Sequence, residues 1–207
     1  MRRFLILSFV VGMSFIANSA AAGCEGAMPS NANQAINPNN PNGALFSAAV
    51  RYYSNIERCR RGLQPLAADP NLLRAAMAHS VNMARSNTMS HTSNVRGQRS
   101  LRDRMGAFSV SKRVAAENIA QNFLFAFGNR RFVPRGGCQF TYADSGAAVP
   151  QFSYSSLAQS QVAGWMASSG HRQNLLNRRV TRMEAGLGYA PDNVSCGRLY
   201  LTQNFAG

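Results

Sequence analysis

A chain that begins Met1-Arg2-Arg3 and then runs apolar from Phe4 to Ile16 is addressed for export, and export decides the redox chemistry in which the rest must fold. Ser19-Ala20-Ala21-Ala22-Gly23 supplies the small residues of a cleavage site, so residues 1–22 read as a signal peptide cut after Ala22. The apolar run is too short to span a bilayer, and no later stretch reaches the roughly 18–20 apolar residues a transmembrane helix needs. The expected destination is therefore the exterior or the periplasm. Ala21-Ala22-Gly23-Cys24 also resembles a lipobox, which would acylate Cys24. Ala stands there where Leu is usual, and Asn18 and Ser19 interrupt the apolar segment, so a lipoprotein is the minority alternative.

In an oxidising compartment the four cysteines, Cys24, Cys59, Cys138 and Cys196, are expected as disulfides. None are spaced as a C-x-x-C redox or zinc motif. Four cysteines allow three connectivities; the favoured one joins Cys138 to Cys196 and Cys24 to Cys59. Lipidation of Cys24 would leave an odd thiol.

About 185 residues remain after cleavage, enough for one domain with a sizeable core. The formal charge of +14 falls to about +12 once Arg2 and Arg3 leave. The basic residues are scattered and no nucleic-acid motif accompanies them, so nucleic acid is not expected as a partner. Anionic envelope polymers or lipid head groups suit an exported basic protein better.

Residues 23–43, rich in Asn, Pro, Ala and Gly, read as an irregular N-terminal arm. Leu45, Ala49, Tyr52, Tyr53 and Ile56 recur at helical spacing from Ala44 to a stop near Gly62. Asp69-Pro70 opens a second helix as cap and first residue, with Leu72, Leu73, Ala76, Met77, Ser80 and Met83 facing the core. A short helix is expected from Ser100 to about Met105, and a partly β-like run from Ala115 to Phe125. Residues 128–154 read as a long loop or irregular hairpin, followed by a helix from about Ser155 to Ser168 and a helical turn from Gly170 to Leu176. Strands at Ala185 to Tyr189 and Arg198 to Phe205 close an α/β or α+β layered domain.

Several motifs then appear in order. Asn55-x-x-Arg58 precedes Gly62-Leu63-x-Pro65-Leu66; Ala78-His79-Ser80 precedes Ser90-His91-Thr92; Ala116-Glu117-Asn118-Ile119-Ala120 follows. Trp165-Met166-x-Ser168-x-Gly170-His171-Arg172-x-Asn174-Leu175-Leu176 comes next, and Gly186-x-Gly188-Tyr189 with Tyr200-x-Thr202-Gln203-Asn204-Phe205 ends the series. Together they resemble the CAP superfamily (cysteine-rich secretory proteins, antigen 5, pathogenesis-related 1 proteins) in its bacterial secreted branch. The resemblance implies a three-layer α-β-α sandwich over residues 44–207, with His91, Glu117 and His171 lining a central cleft. Ser168 stands where relatives with the full tetrad carry a second glutamate. The stretch from Glu117 to Trp165 is longer than the family usually has, which marks 128–154 as an insertion. If Cys138 pairs with Cys196, that insertion is pinned to the last strands, as a wall of the cleft or as surface decoration.

Two imidazoles converging with one carboxylate could hold a divalent metal, zinc before magnesium or calcium, with Glu117 as third ligand or as orienter. The same three side chains could equally form a hydrogen-bonded polar cluster joining layers. His79, a lone histidine among Ala75, Met77 and Met83, reads as an interior or half-exposed residue, and Trp165 as a core anchor. No H-E-x-x-H, G-x-S-x-G or recognisable Cys/His arrangement is present, so catalysis is not the expectation. The expected function is a monomeric, non-catalytic binding module for a lipid or envelope ligand. An envelope protein acting through its basic surface and a metal-dependent hydrolase are the alternatives.

Overall fold

A computed structural model describes residues 23–207, so the signal peptide read in residues 1–22 lies outside the described residues. The elements run α1 (Gly43–Cys59), α2 (Pro70–Ser86), α3 (Leu101–Ala107), β1 (Ala115–Phe123), β2 (Phe132–Gly136), β3 (Gln139–Tyr142), α4 (Tyr154–Ala167), α5 (Ser169–Leu175), β4 (Arg182–Ala190) and β5 (Arg198–Ala206). β5 lies between β1 and β4 in an antiparallel sheet, with Glu117 opposite Asn204 and Glu184 opposite the same residue on the other side. Alternation along β5 divides the layers. Thr202 faces α2, where Ser80 bonds it at 2.9 Å, whereas Gln203 faces α1 and bonds Ser54 at 3.0 Å. Helices α2 and α3 therefore cover one face and α1, α4 and α5 the other, giving the expected α-β-α sandwich.

Burial on both faces explains why β4 and β5 carry almost no exposed residue. It also explains why β4 is longer than its apolar pattern suggests. Gly186 and Gly188 interrupt that pattern because α2 lies directly on them. A Cβ on Gly186 would sit 2.1 Å from the Ala76 carbonyl oxygen, and one on Gly188 2.2 Å from that of Ser80.

The buried stripe of α1 differs from the apolar spacing in its sequence. Leu45, Tyr52, Tyr53 and Ile56 are only half-buried, whereas Phe46, Ala49, Val50, Ser54, Asn55 and Arg58 form the inner face. Polar residues qualify for the interior because each is bonded there. Asn55 pairs with both backbone groups of Leu66, and the Arg58 guanidinium donates to the carbonyls of Gln64, Leu175, Asn177 and Val180. One buried arginine thus ties α1 to the end of α5 and to the approach into β4. In α2 the inner face adds Ala75, His79 and Ala84 and leaves Leu73 and Met77 half-buried.

Both favoured disulfides are present: Cys24 joins Cys59 and Cys138 joins Cys196, with Cα separations of 6.0 and 5.6 Å. The arm is irregular but anchored, burying Ala32 and Ile36 and bridging Ala35 to Ser153. The 128–154 segment is a hairpin, β2 with β3, whose rings fill one another's space: Phe127 stacks on Phe132 at 3.9 Å, and Phe140 meets Phe125 and Phe127 edge-on at 5.0 Å. No helix among the described residues is long and apolar enough to cross a membrane.

Close packing of α2 on β4 makes a specific prediction. Gly186→Ala should cost at least about 2 kcal/mol, because backbone must move to admit the methyl. Gly164→Ala, whose new Cβ would meet only the Gln161 side chain at 3.9 Å, should be neutral or stabilising by up to about 1 kcal/mol. Urea midpoints of the two variants decide it, and equal midpoints would contradict this packing.

Candidate functional site

Four elements converge where β1 forms the sheet edge. Alternation puts Glu117 and Ile119 on the α2 side and Asn118 on the other. His79 lies on the inner face of α2. Ser100 and Asp103 form a reciprocal cap that starts α3 and places Arg104 in its first turn. His91 comes from the loop between α2 and α3.

Glu117 is the centre. Its carboxylate is only 3% exposed, and both oxygens accept from Arg104 Nη2, at 2.8 and 2.7 Å. Arg104 is itself fully buried, and its guanidinium also donates to the carbonyls of His91, Gln98 and Arg99. His91 Nδ1 bonds the same carboxylate at 2.9 Å while the rest of its side chain is 59% exposed. His79, wholly buried, brings Nε2 to 3.8 Å from Glu117, and neither of its ring nitrogens has a hydrogen-bond partner.

The electrostatics follow from this nesting. Burial pushes the Glu117 carboxyl up, but His91, Arg104 and His79 outweigh burial and hold it below the usual carboxylate range. The Glu117 bond lifts His91 above an ordinary imidazole. Burial holds His79 down at about 4, against the opposing pull of Glu117.

His171 lies on α5, beyond β1 from the Glu117 cluster. It is half-buried and makes no hydrogen bond to His91 or Glu117; burial and then the charge of His91 lower its pKa. An amide lattice fastens its helix. Asn118 Nδ2 donates to the His171 carbonyl at 3.2 Å and to Gln203 at 2.9 Å, and Asn174 donates to the Glu117 carbonyl and to Asn118 Oδ1. Ser168 is the extended residue joining α4 to α5, and its side chain caps neither. Trp165 is a core anchor, 1% exposed.

Among the sequence-derived candidates, His91 and Glu117 are in contact and His171 lies near them without a bond. Among the described residues, His91, Glu117 and His171 do not bring three ligand atoms within 4.8 Å of one another. A divalent ion on Glu117 would have to displace a wholly buried guanidinium, so the donor set does not fit a metal there. His79 is interior, as its apolar neighbours imply, but its approach to Glu117 has no local signal; Arg104 carries only a weak one, adjoining Met105 and lying three residues after Leu101 on the apolar side of a short helix.

The α-β-α sandwich carries a cluster of His91, Glu117 and Arg104 at its sheet edge. Residues 51–205 match the cysteine-rich secretory protein family, CAP, and the chain belongs to that family. It is similar to YkwD of Bacillus subtilis (strain 168), an uncharacterized protein, at 32% identity over 164 residues, which is 79% of this chain and 48% of that protein. It is also similar to YlbC of the same organism, an uncharacterized membrane protein, at 32% identity over 152 residues, 73% of this chain and 32% of that one. The chain thus spans about half or less of the length of these relatives. Among solved structures, an extracellular SCP-domain protein of Bacillus anthracis str. Ames aligns with a TM-score of 0.52 and 27% identity, covering 79% of this chain and 41% of that one.

Removing Glu117 should be costly because it strands a buried cation. Glu117→Ala is expected to lose about 3–5 kcal/mol, with Glu117→Gln losing clearly less because it keeps an acceptor for Arg104. Thermal melts of both variants test this; an alanine variant that melts with the parent would place the carboxylate in solvent.

His79 predicts an acid dependence. Between about pH 6.5 and 4 the unfolded imidazole takes up a proton that the folded one refuses, so stability is full above that window and falls on acidification through it. His91 acts oppositely, contributing fully below about pH 6.5 and less as pH rises through its higher folded value, but solvent screens much of that effect. The slope of stability against pH between 6.5 and 4 should therefore flatten in His79→Asn. An unchanged slope would show that another group titrates there.

Proposed function

We propose that this protein is an exported, non-catalytic binding module that takes an anionic component of the cell envelope at the β1-edge cleft. One observation carries the reading: the acidic residues are already spent on internal partners. Six of the eight, Glu57, Asp69, Glu117, Asp144, Glu184 and Asp192, pair with arginines, and these account for seven of the basic residues. The remaining positive charge is left for solvent and for partners. Arg96 and Arg99, in the loop that carries His91, are exposed and have no carboxylate partner.

Other features support binding over turnover. A general base must be free to accept a proton, and Glu117 is neutralised by Arg104 from beneath. It acts instead as the group that orients His91. With Nδ1 held by the carboxylate, Nε2 is the nitrogen left to the cleft. The aromatic rings of the insertion are consumed by its own core, which favours a polar ligand over an acyl chain.

The mature chain should be retained on isolated cell-envelope preparations, with retention falling steeply as salt rises and the Debye length shrinks from about 10 Å at 0.1 M to about 3 Å at 1 M. Retention that ignores salt, or that is matched by vesicles of uncharged lipid, would overturn the reading.

A further inference from the structure

The residues on either side of His91, Ser90 and Thr92, both help to wall a cavity of about 340 Å³ that the cleft chemistry above does not use. Its lining is unusual in kind. Asn82, Ser86, Thr88, Ser90, Thr92 and Arg99 contribute hydroxyls, amides and one guanidinium, buried Met83 lies at its floor, and no carboxylate is present.

The wall is held in shape. Ser93 Oγ donates to Asn82 Oδ1 at 3.0 Å, Asn82 Nδ2 to Asn94 Oδ1 at 2.6 Å, and the Ser93 amide to the Arg99 carbonyl at 2.9 Å. From beneath, Arg104 takes the carbonyls of His91, Gln98 and Arg99 together, so the loop is fastened at both ends to a buried cation. Binding capacity is left over. The Ser90 hydroxyl accepts only from the Thr92 amide and the Thr88 hydroxyl donates only to the Ser86 carbonyl, so each keeps a donor or acceptor free. The Thr92 hydroxyl has no internal partner, and Arg99 has no ion pair.

We propose that this cavity is a binding site for an acidic sugar. Hydroxyl and amide groups exchange hydrogen bonds with a ring of hydroxyls, and Arg99 receives the sugar's carboxylate as a charge-assisted pair. The volume is at the small end of ligand sites, about 300–1,000 Å³, and suits one sugar unit of a polymer rather than a long stretch of it. A bare inorganic anion would also accept from the hydroxyls, but it offers them no ring of donors in return and fills little of the cavity. The proposal rests on the anionic-envelope reading and names the chemistry that this surface selects.

Titration of the labelled mature protein with a hexuronic acid, followed by amide NMR, tests it. Saturable shifts confined to residues 88–99 and neighbouring Asn82 are expected, with glucose and inorganic phosphate each at least tenfold weaker. Arg99→Met should bring hexuronic acid down to the level of glucose, and Thr92→Val should weaken both sugars; both side chains are exposed, so folding should survive. No saturable shift in this segment, shifts that persist unchanged in Arg99→Met, or phosphate binding as tightly as the sugar acid would each overturn the proposal. Envelope retention measured on the same samples separates the two readings. Salt-sensitive retention with a silent titration removes the sugar site and leaves the envelope function standing, whereas loss of both removes both.

Discussion

The buried contact between Glu117 and Arg104 is the interaction on which the rest of this cleft depends. Neither charge could remain inside alone, since an unpaired ion in the interior costs several kcal/mol. Their pairing fixes β1 against α3, and the remaining guanidinium donors collect three carbonyls from the loop between α2 and α3. A segment that would ordinarily move is thereby tied to the sheet. His91 inherits its orientation from the same carboxylate, and His79 is kept neutral by being enclosed behind it.

This arrangement limits what Glu117 can do in this chain. A carboxylate poised between two imidazoles resembles a metal site or a general base when only those three residues are considered. Adding Arg104 makes it a neutral buried pair with one imidazole turned outward. The second glutamate of the full tetrad is also absent, Ser168 being the joint of two helices. The Glu117–Arg104 pairing leaves little free negative charge beside His91.

Much of this was legible in the chain before any coordinates. The N-cap and proline of α2, the commitment of four cysteines to disulfides and the alternation of β5 follow from local chemistry: caps, an oxidising compartment and a period of two; the choice among three disulfide pairings, and between loop and hairpin for 128–154, does not. The inner face of α1 was not legible, because apolar spacing cannot reveal that Ser54, Asn55 and Arg58 find partners far along the chain. Gly186 and Gly188 likewise obscure a strand that exists because α2 presses on it. The candidate site divides the same way. His91 and Glu117 stand out through motif order; His79 lies in a motif but reads as interior, and Arg104 lies in none, so their contact with Glu117 becomes visible only once α2, α3 and β1 are brought together.

The basic composition has two distinct sources, and separating them clarifies the function. Arg58 and Arg104 are interior residues, each using a planar fork to satisfy several carbonyls, and a lysine in either place would leave acceptors unmet. These two contribute charge to the total but none to the surface. Seven arginines, Arg104 among them, are matched to carboxylates. The charge that can act at a distance is the remainder, and Arg96 and Arg99 place part of it in the loop that Arg104 holds rigid. A buried cation that organises a loop and exposed cations carried on that loop divide the labour: the first supplies preorganisation, the second attraction. The same loop also carries the hydroxyls of Ser90 and Thr92, so recognition there can depend on the shape of a ligand as well as on its sign.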